Sequence, residues 1–343
     1  MRRMMKCRKA TVAVVALCLC AGLWGCARDD GPTVVVYTAL DELYSRPILD
    51  AFEAKTGIRV LAQYDTEAAK TTGLVNRLIA EKDRPRADVF WNNEVAQTIV
   101  LQNKGVLDAY ASPAAEAIPE GFKDPEHYWT GLAARARVII YNTDLVDEPP
   151  MSIRDFLKDE WGGKAAIANP LFGTTATHAA ALFALWGERD ARAFFLGLKE
   201  NDVAVLPGNA TVRDLVARGE YAVGLTDTDD ANGAVVDGFP VRWHMPDQEP
   251  EGLGTLVIPN TVALIRGGPN AVEAKALIDY LLSPEVEAAL SRTRSIQIPL
   301  NPGVRLEDGV PDLAKTKTMN VDFSDAAGAM DVSAPFIQEV FLR

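Results

Sequence analysis

The sequence predicts an α/β protein of two lobes, each a mixed sheet flanked by helices, with a ligand cleft between them. Three observations carry that expectation. Short apolar runs alternate along the chain with amphipathic helical stretches, the pattern of parallel or mixed sheets covered by helices. Of 343 residues, about 315 follow an apolar N-terminal segment, more than a single core grows to enclose. Hydrophobic residues make up 48% of the chain, a globular rather than a disordered composition. No repeat or low-complexity tract intervenes.

The elements follow in order. Thr33–Tyr37 (TVVVY) is a continuous apolar run, as a strand covered on both faces requires. Pro47–Thr56 is a helix with Ile48, Leu49 and Phe52 on one face, stopped at Gly57. Ile58–Ala62 is the next strand, and Thr66–Lys82 a helix with Leu74, Leu78 and Ile79 inward. Ala87–Trp91 (ADVFW) is a third strand, and Val95–Asn103 a helix stopped at Gly105. Arg137–Tyr141 (RVIIY) is a strand; Ser152–Lys158 is a short helix in which Ser152 and Asp155 make a capping pair. Ala165–Ala168 is a strand leading through the loop PLFGTT into a buried Ala-rich helix over Ala176–Trp186, then a helix over 190–200. Val203–Leu206 is a strand, Asn209 caps a helix ending near Gly219, and Tyr221–Leu225 (YAVGL) is a strand running directly into TDTDDAN. Val241–His244 and Thr255–Ile258 are further strands, and Val272–Leu282 and Glu285–Arg292 are amphipathic helices joined at Pro284.

The chain begins with Arg2, Arg3, Lys6, Arg8 and Lys9, followed by an apolar run from Ala10 to Trp24. That run falls short of the roughly 20 apolar residues a membrane span needs, and residues 1–25 have the form of a signal peptide. The run closes on LWGC, which resembles a bacterial lipobox: Cys26 would be lipidated and become the new N-terminus, with residues 26–32 as the linker from the anchor. Trp24 is unusual in that motif, and ordinary signal-peptidase cleavage is the rival reading. Of the four cysteines, three lie in the signal segment and the fourth is Cys26, so the body can hold neither a disulfide nor a Cys-rich zinc site. Net charge is −12, and loss of the five basic and no acidic residues of 1–25 takes it to −17. That balance argues against a nucleic-acid partner.

In sheets of this kind ligands bind beyond the carboxyl ends of strands, and a cleft between lobes collects several such ends. The first strand is followed by Asp41 and Glu42, the third by Asn92, Asn93 and Glu94, AAIAN by Gly173, Thr174, Thr175 and His178, and YAVGL by Asp227, Thr228, Asp229 and Asp230. Two carboxylates 4 Å apart repel by about 1 kcal/mol in water and about 4 at an effective dielectric of 20. A group of them facing one cleft takes up protons, pairs with arginine, or binds a cation. The GTT loop has the opposite preference, because unpaired N–H groups at a helix start favour an anion. A bland reading stands beside each: Asp and Thr after strands also cap helices, and His178 falls on a buried helix face. Arg135 and Arg137 either neutralise the acidic cluster or hold an anion. His127 and His244 carry no motif.

The segments VVVYTALDE, ADVFWNNE, GLAARARVIIYN, WGGKAAIANPLFGTT, GLTDTDDAN and GTLVIPNTVALI, in that order over nearly the whole body, resemble a type II periplasmic solute-binding protein of ABC importers, of the ferric-ion-binding group. The resemblance implies lobe 1 over 33–136 with a return over 257–310, lobe 2 over 137–256, and a C-terminal segment, 311–343, packing on lobe 2. It implies a monomer held at a bacterial membrane by its lipid, with a permease and an ATPase as partners, and ferric ion as cargo rather than catalytic cofactor. Asp229 and Asp230 stand where the family places a tyrosine pair, Asp41 where some members have a histidine, and Glu94 at the family's acidic ligand. These four are the implied metal ligands. Gly173, Thr174 and Thr175 match the loop for a synergistic anion, with Asn93, Arg135, Asp227 and Thr228 beside it. The missing tyrosines leave other hard cations, or an organic cation or phosphorylated small solute, as alternative cargo. An enzyme is the rival class, with paired carboxylates as in glycosidases. The body lacks a GxxxxGK[ST] loop, HExxH, G-x-S-x-G and a cysteine nucleophile.

Overall fold

The computed structural model describes residues 31–65 and 71–341. The chain divides into Met1–Pro32 and Thr33–Arg343, and every element below belongs to the second unit. The signal-peptide reading of residues 1–25, the anchor at Cys26 and the expected helix start at Thr66 lie outside the described residues.

Two sets of parallel strands are joined by two long antiparallel ones. β1 (Thr33–Thr38) lies between β2 (Arg59–Tyr64) and β3 (Val89–Asn92), all parallel. β6 (Ala165–Ala168) lies in the same way between β7 (Ala204–Leu206) and β8 (Val223–Asp227). Between the sets run β10 (Val257–Ile265) and β5 (Thr130–Asn142), antiparallel to each other and to their outer neighbours β3 and β8. The order is β2-β1-β3-β10-β5-β8-β6-β7, with β4 (Leu107–Asp108) on β10 and β9 (Val241–His244) on β5. Each parallel set with its helices is one lobe, and the two-lobe α/β expectation holds.

α1 (Glu42–Thr56), α7 (Ala271–Leu281) and α8 (Pro284–Ser291) bury Phe52, Leu277 and Leu281 against Val34, Val36 and Trp91 of the first set. α5 (Asn209–Ala217) and α6 (Thr228–Val236) bury Val212, Val216 and Ala234 against Val138 and Ile140. A third core joins α2 (Thr72–Ala80) and α3 (Ala96–Asn103) to α4 (Gly173–Glu200) through the C-terminal α9 (Phe323–Phe341), with Leu78, Ile99, Phe183, Phe195 and Ile337 in one cluster. α9 packs on both α4 and α3, and Phe336 meets Phe183 with ring centroids 5.9 Å apart. None of the described helices is long and apolar enough to cross a membrane.

Several elements differ from the sequence expectation for physical reasons. β5 starts seven residues before Arg137, because TGLAARA lacks the β-branched signal yet is covered on both faces. Gly131 is required there: a Cβ would lie 2.8 Å from the Phe122 carbonyl. β10 runs to Ile265 through Pro259, and the ladder absorbs the proline where the register shifts between Pro259 and Asn260. Opposite that shift Ala133 takes φ 40, a left-handed value uncommon without glycine. Glu287, 0% exposed, holds this bulge by accepting from the N–H groups of Ala133 (2.7 Å), Leu300 (2.9 Å) and Asn301 (2.8 Å). α1 begins at Glu42, where the Tyr44 and Ser45 N–H groups close the first turn on the Asp41 carbonyl, and it carries Pro47 inside it. α4 runs over both expected helices but breaks at Gly187 (φ 77, ψ 165).

Candidate functional site

Three helices begin at one cleft. α4 opens at Gly173, α5 at Asn209 and α6 at Thr228, each the next element after a strand of the second set. Their first turns supply Gly173, Thr174, Asn209, Ala210, Asp229 and Asp230 to a cavity of about 50 Å³, which Asp227, Arg135, Asn93 and Asp41 complete. Asp41 and Asn93 come from the strand ends of the first set, so both lobes line it. A Cβ placed on Gly173 would touch nothing within 4 Å, and its φ is 53, so the backbone there is left open to the cavity.

The floor is a buried ion pair. The β5–β8 register sets Arg137 opposite Asp227, and Arg137 Nη1 donates to Asp227 Oδ1 at 2.6 Å. The other carboxylate oxygen accepts from the Thr174 hydroxyl (2.6 Å) and from Asn209 Nδ2 (3.1 Å). Arg137 Nη1 also reaches Asn209 Oδ1 at 3.0 Å. Burial alone would raise the Asp227 carboxyl, but Arg137 and Arg135, with the hydrogen bonds from Thr174 and Arg137, outweigh it and hold it below the usual range. Asp227 is therefore ionised and engaged within the fold.

Arg135, two residues back on the same face of β5, joins the two walls. It donates to the Asn93 carbonyl of the first lobe, and its Nη1 lies 3.4 Å from Asp229 Oδ2. Its Nε has no hydrogen-bond partner among the described residues. Asp230 Oδ1 lies 3.5 Å from Arg213 Nη1. One oxygen from each of Asp227, Asp229 and Asp230 falls within 4.8 Å of the others, which is metal-binding spacing. Tyr44, on the first turn of α1, stands in the same field. Burial first, then Asp229, with smaller pushes from Asp41 and Asp230, raises its phenol to about 12 against the pull of Arg294.

The structure thus brings Asp41, Asn93, Arg135, Gly173, Thr174, Asp227, Asp229 and Asp230 together and leaves three expected residues out of the lining. Glu94 is one: its carboxylate, 0% exposed, accepts from the Thr177 hydroxyl (2.6 Å), the Gln97 N–H (3.0 Å) and Asn92 Nδ2 (3.1 Å). It is withdrawn because those donors satisfy it, although burial still raises its carboxyl above the usual range. Thr228 is another, its hydroxyl accepting from the Ala136 N–H at 3.2 Å. Thr175 is the third; it lines a small apolar cavity of about 20 Å³ with His178, Phe156, Phe194 and Leu225. That cavity lacks the convergent polar groups a small solute needs. Asn209 corrects the sequence reading in the other direction. It is not a cap, since Gly208 holds that position, and its side chain joins the Arg137–Asp227 floor. Its place in the loop that follows a strand was the signal, the same one that marked Asp41 and Asp229.

Comparison with known proteins adds to this geometry. Residues 87–326 match the family model of a bacterial extracellular solute-binding protein. The chain is 26% identical over 316 residues to iron uptake protein A1 of Synechocystis, covering 88% of this chain and 84% of that one. Its fold is similar to that of iron-bound HitA from Pseudomonas aeruginosa (TM-score 0.82, 23% identity, 91% of this chain and 100% of the other). It is also similar to the periplasmic binding protein AfuA from Actinobacillus pleuropneumoniae with fructose-6-phosphate bound (TM-score 0.79, 24% identity, 90% and 97%). The fold is therefore the type II two-lobe arrangement.

Two outcomes follow. Asp227→Asn leaves Arg137 buried without its counter-charge and should cost about 3–5 kcal/mol in urea denaturation. The double variant with Arg137→Met should recover part of that loss, and full stability in the single variant would remove the pair from its role. His178 is the second. Burial, then Arg137, pushes its imidazole down from 6.5 to about 3 against Asp227. The unfolded chain therefore binds a proton that the folded chain refuses, and stability falls as pH drops from about 6.5 toward 3. Denaturant titrations across pH 4–7 should show a wild-type slope steeper than that of His178→Leu by up to about 1.4 kcal/mol per pH unit.

Proposed function

The chain belongs to the family of bacterial extracellular solute-binding proteins, and on that footing we propose that it captures a hard cation, ferric ion first, for delivery to the permease and ATPase of an ABC importer. One observation carries the reading: Asp41 from one lobe and Asp229 and Asp230 from the other line a single cleft. Carboxylates are hard oxygen donors of the kind such ions take. The Tyr44 phenol stands near them. A small anion completes the coordination at the start of α4, where the N–H groups of Gly173–Thr175 favour negative charge. Iron uptake protein A1 and iron-bound HitA are named for the same cargo. Contacts from both lobes favour the closed form, which the permease recognises.

A second reading rests on the three helix starts at Gly173, Asn209 and Thr228 with Arg135 beside them. That arrangement suits a phosphorylated small solute whose cationic or hydroxyl end meets the aspartates. AfuA, with its bound sugar phosphate, supports it.

The body is tethered by lipid on Cys26 after removal of residues 1–25. In the native bacterium Cys26→Ser should move the chain from the membrane fraction to the soluble one; retention at the membrane refutes the anchor. For the cargo, Asp229→Asn with Asp230→Asn should weaken ferric citrate binding at least about a hundredfold in calorimetry with the far-UV spectrum unchanged. Undiminished affinity would reject the aspartates as ligands. A melting temperature raised by sugar phosphates and by no metal would select the second reading.

A further inference from the structure

Glu94 is a buried carboxylate that the cleft does not use. Its contacts on its own lobe are local. The Gln97 N–H at 3.0 Å and Asn92 Nδ2 at 3.1 Å fix it to the start of α3, and the same Asn92 nitrogen reaches the Thr98 hydroxyl (3.0 Å), itself 2.7 Å from the Thr261 hydroxyl on β10. One contact is of another kind. The Thr177 hydroxyl, on α4 of the opposite lobe, donates to Glu94 Oε2 at 2.6 Å. Both residues are 0% exposed.

The placement gives that bond its meaning. Asn93, the residue before Glu94, lines the cleft from the first lobe, and Thr174, one helical turn before Thr177, lines it from the second. The two cleft walls are therefore joined, about one helical turn below the cleft-lining residues, through a charge-assisted hydrogen bond shielded from water, in addition to the bridge Arg135 makes between Asn93 and Asp229. Such bonds are about twice as strong as neutral ones, and opening the lobes would leave Glu94 Oε2 with only the longer contact from the Gln97 N–H at 3.2 Å.

We infer that Glu94 and Thr177 form a latch between the lobes, a positioning pair that touches no ligand and sets how long a captured solute is retained. The inference rests on the reading that the solute lies between the lobes. Separation of the lobes breaks the bond, so the latch slows release while leaving capture by the open form nearly unchanged.

Thr177→Val keeps the side-chain shape and removes the donor; Thr177→Ser restores it. Thr177→Ala, which also lacks the hydroxyl, takes its place if Val disturbs packing. With the chain loaded from ferric citrate, stopped-flow release into a chelator should be about ten- to hundredfold faster for Val than for wild type, association should stay within about threefold, and Ser should release at close to the wild-type rate. Release from the Val variant at the wild-type rate overturns the latch, as does a Ser variant that behaves like Val. Failure of the wild type to take up iron strikes the cargo reading alone. The latch is then decided by small-angle scattering of the ligand-free chain. There Val should give a larger radius of gyration than wild type and Ser, and an unchanged radius overturns it.

Discussion

The buried Arg137–Asp227 pair is the interaction on which the rest of the site depends. Two opposite charges taken out of water must recover a large hydration loss, which their mutual attraction repays only when the remaining donors and acceptors are also used. Here Thr174 and Asn209 satisfy the second Asp227 oxygen and Asn209 accepts from Arg137 Nη1, while Arg137 Nε and Nη2 have no partner among the described residues. Because Thr174 lies in the first turn of α4, Asn209 opens α5 and Asp227 directly precedes α6, satisfying one carboxylate fixes three helix starts. The positive ends of three helix dipoles are thereby aimed at one small volume, and Asp229 and Asp230 line that volume on the first turn of α6.

The second constraint is how the lobes are joined. β5 pairs with β10 over its first half, Thr130 to Ala136, and with β8 and β9 over its second, Arg137 to Asn142, so any motion between lobes passes through the residues where β5 changes partners. The bulge at Ala133 lies a few residues before that change, within the stretch paired with β10, in a backbone conformation that an L-residue adopts at a cost. Glu287 offsets the cost with three backbone hydrogen bonds. On the far side of the molecule α9 packs on both lobes. The crossing is thus confined rather than loose, which suits a hinge that swings between few states.

The cleft's chemistry is one of opposed preferences held close together. Carboxylates favour a cation, helix starts and Arg135 favour an anion, and neither group dominates the lining. A ligand that brings both charges, whether a metal with its anion or a solute with two ends, leaves fewer buried groups unmatched than either charge alone.

Much of this was legible in residue order. Apolar alternation with helical stretches determined the fold class, because it depends only on which faces must be buried. Position after a strand marked the loops of Asp41, Asn93, Gly173 and Asp229, since sheets of this kind present those ends together. What the tertiary structure alone decided was which polar groups face the ligand and which are consumed inside. Asp227 and Asp229 look equivalent in TDTDD, yet the β5–β8 register gives Asp227 to an arginine 90 residues away. Glu94, which the resemblance implies as a metal ligand, is buried and accepts from a threonine 83 residues on. Local sequence states what a side chain can do; burial and long-range partners, set only by folding, decide what it does.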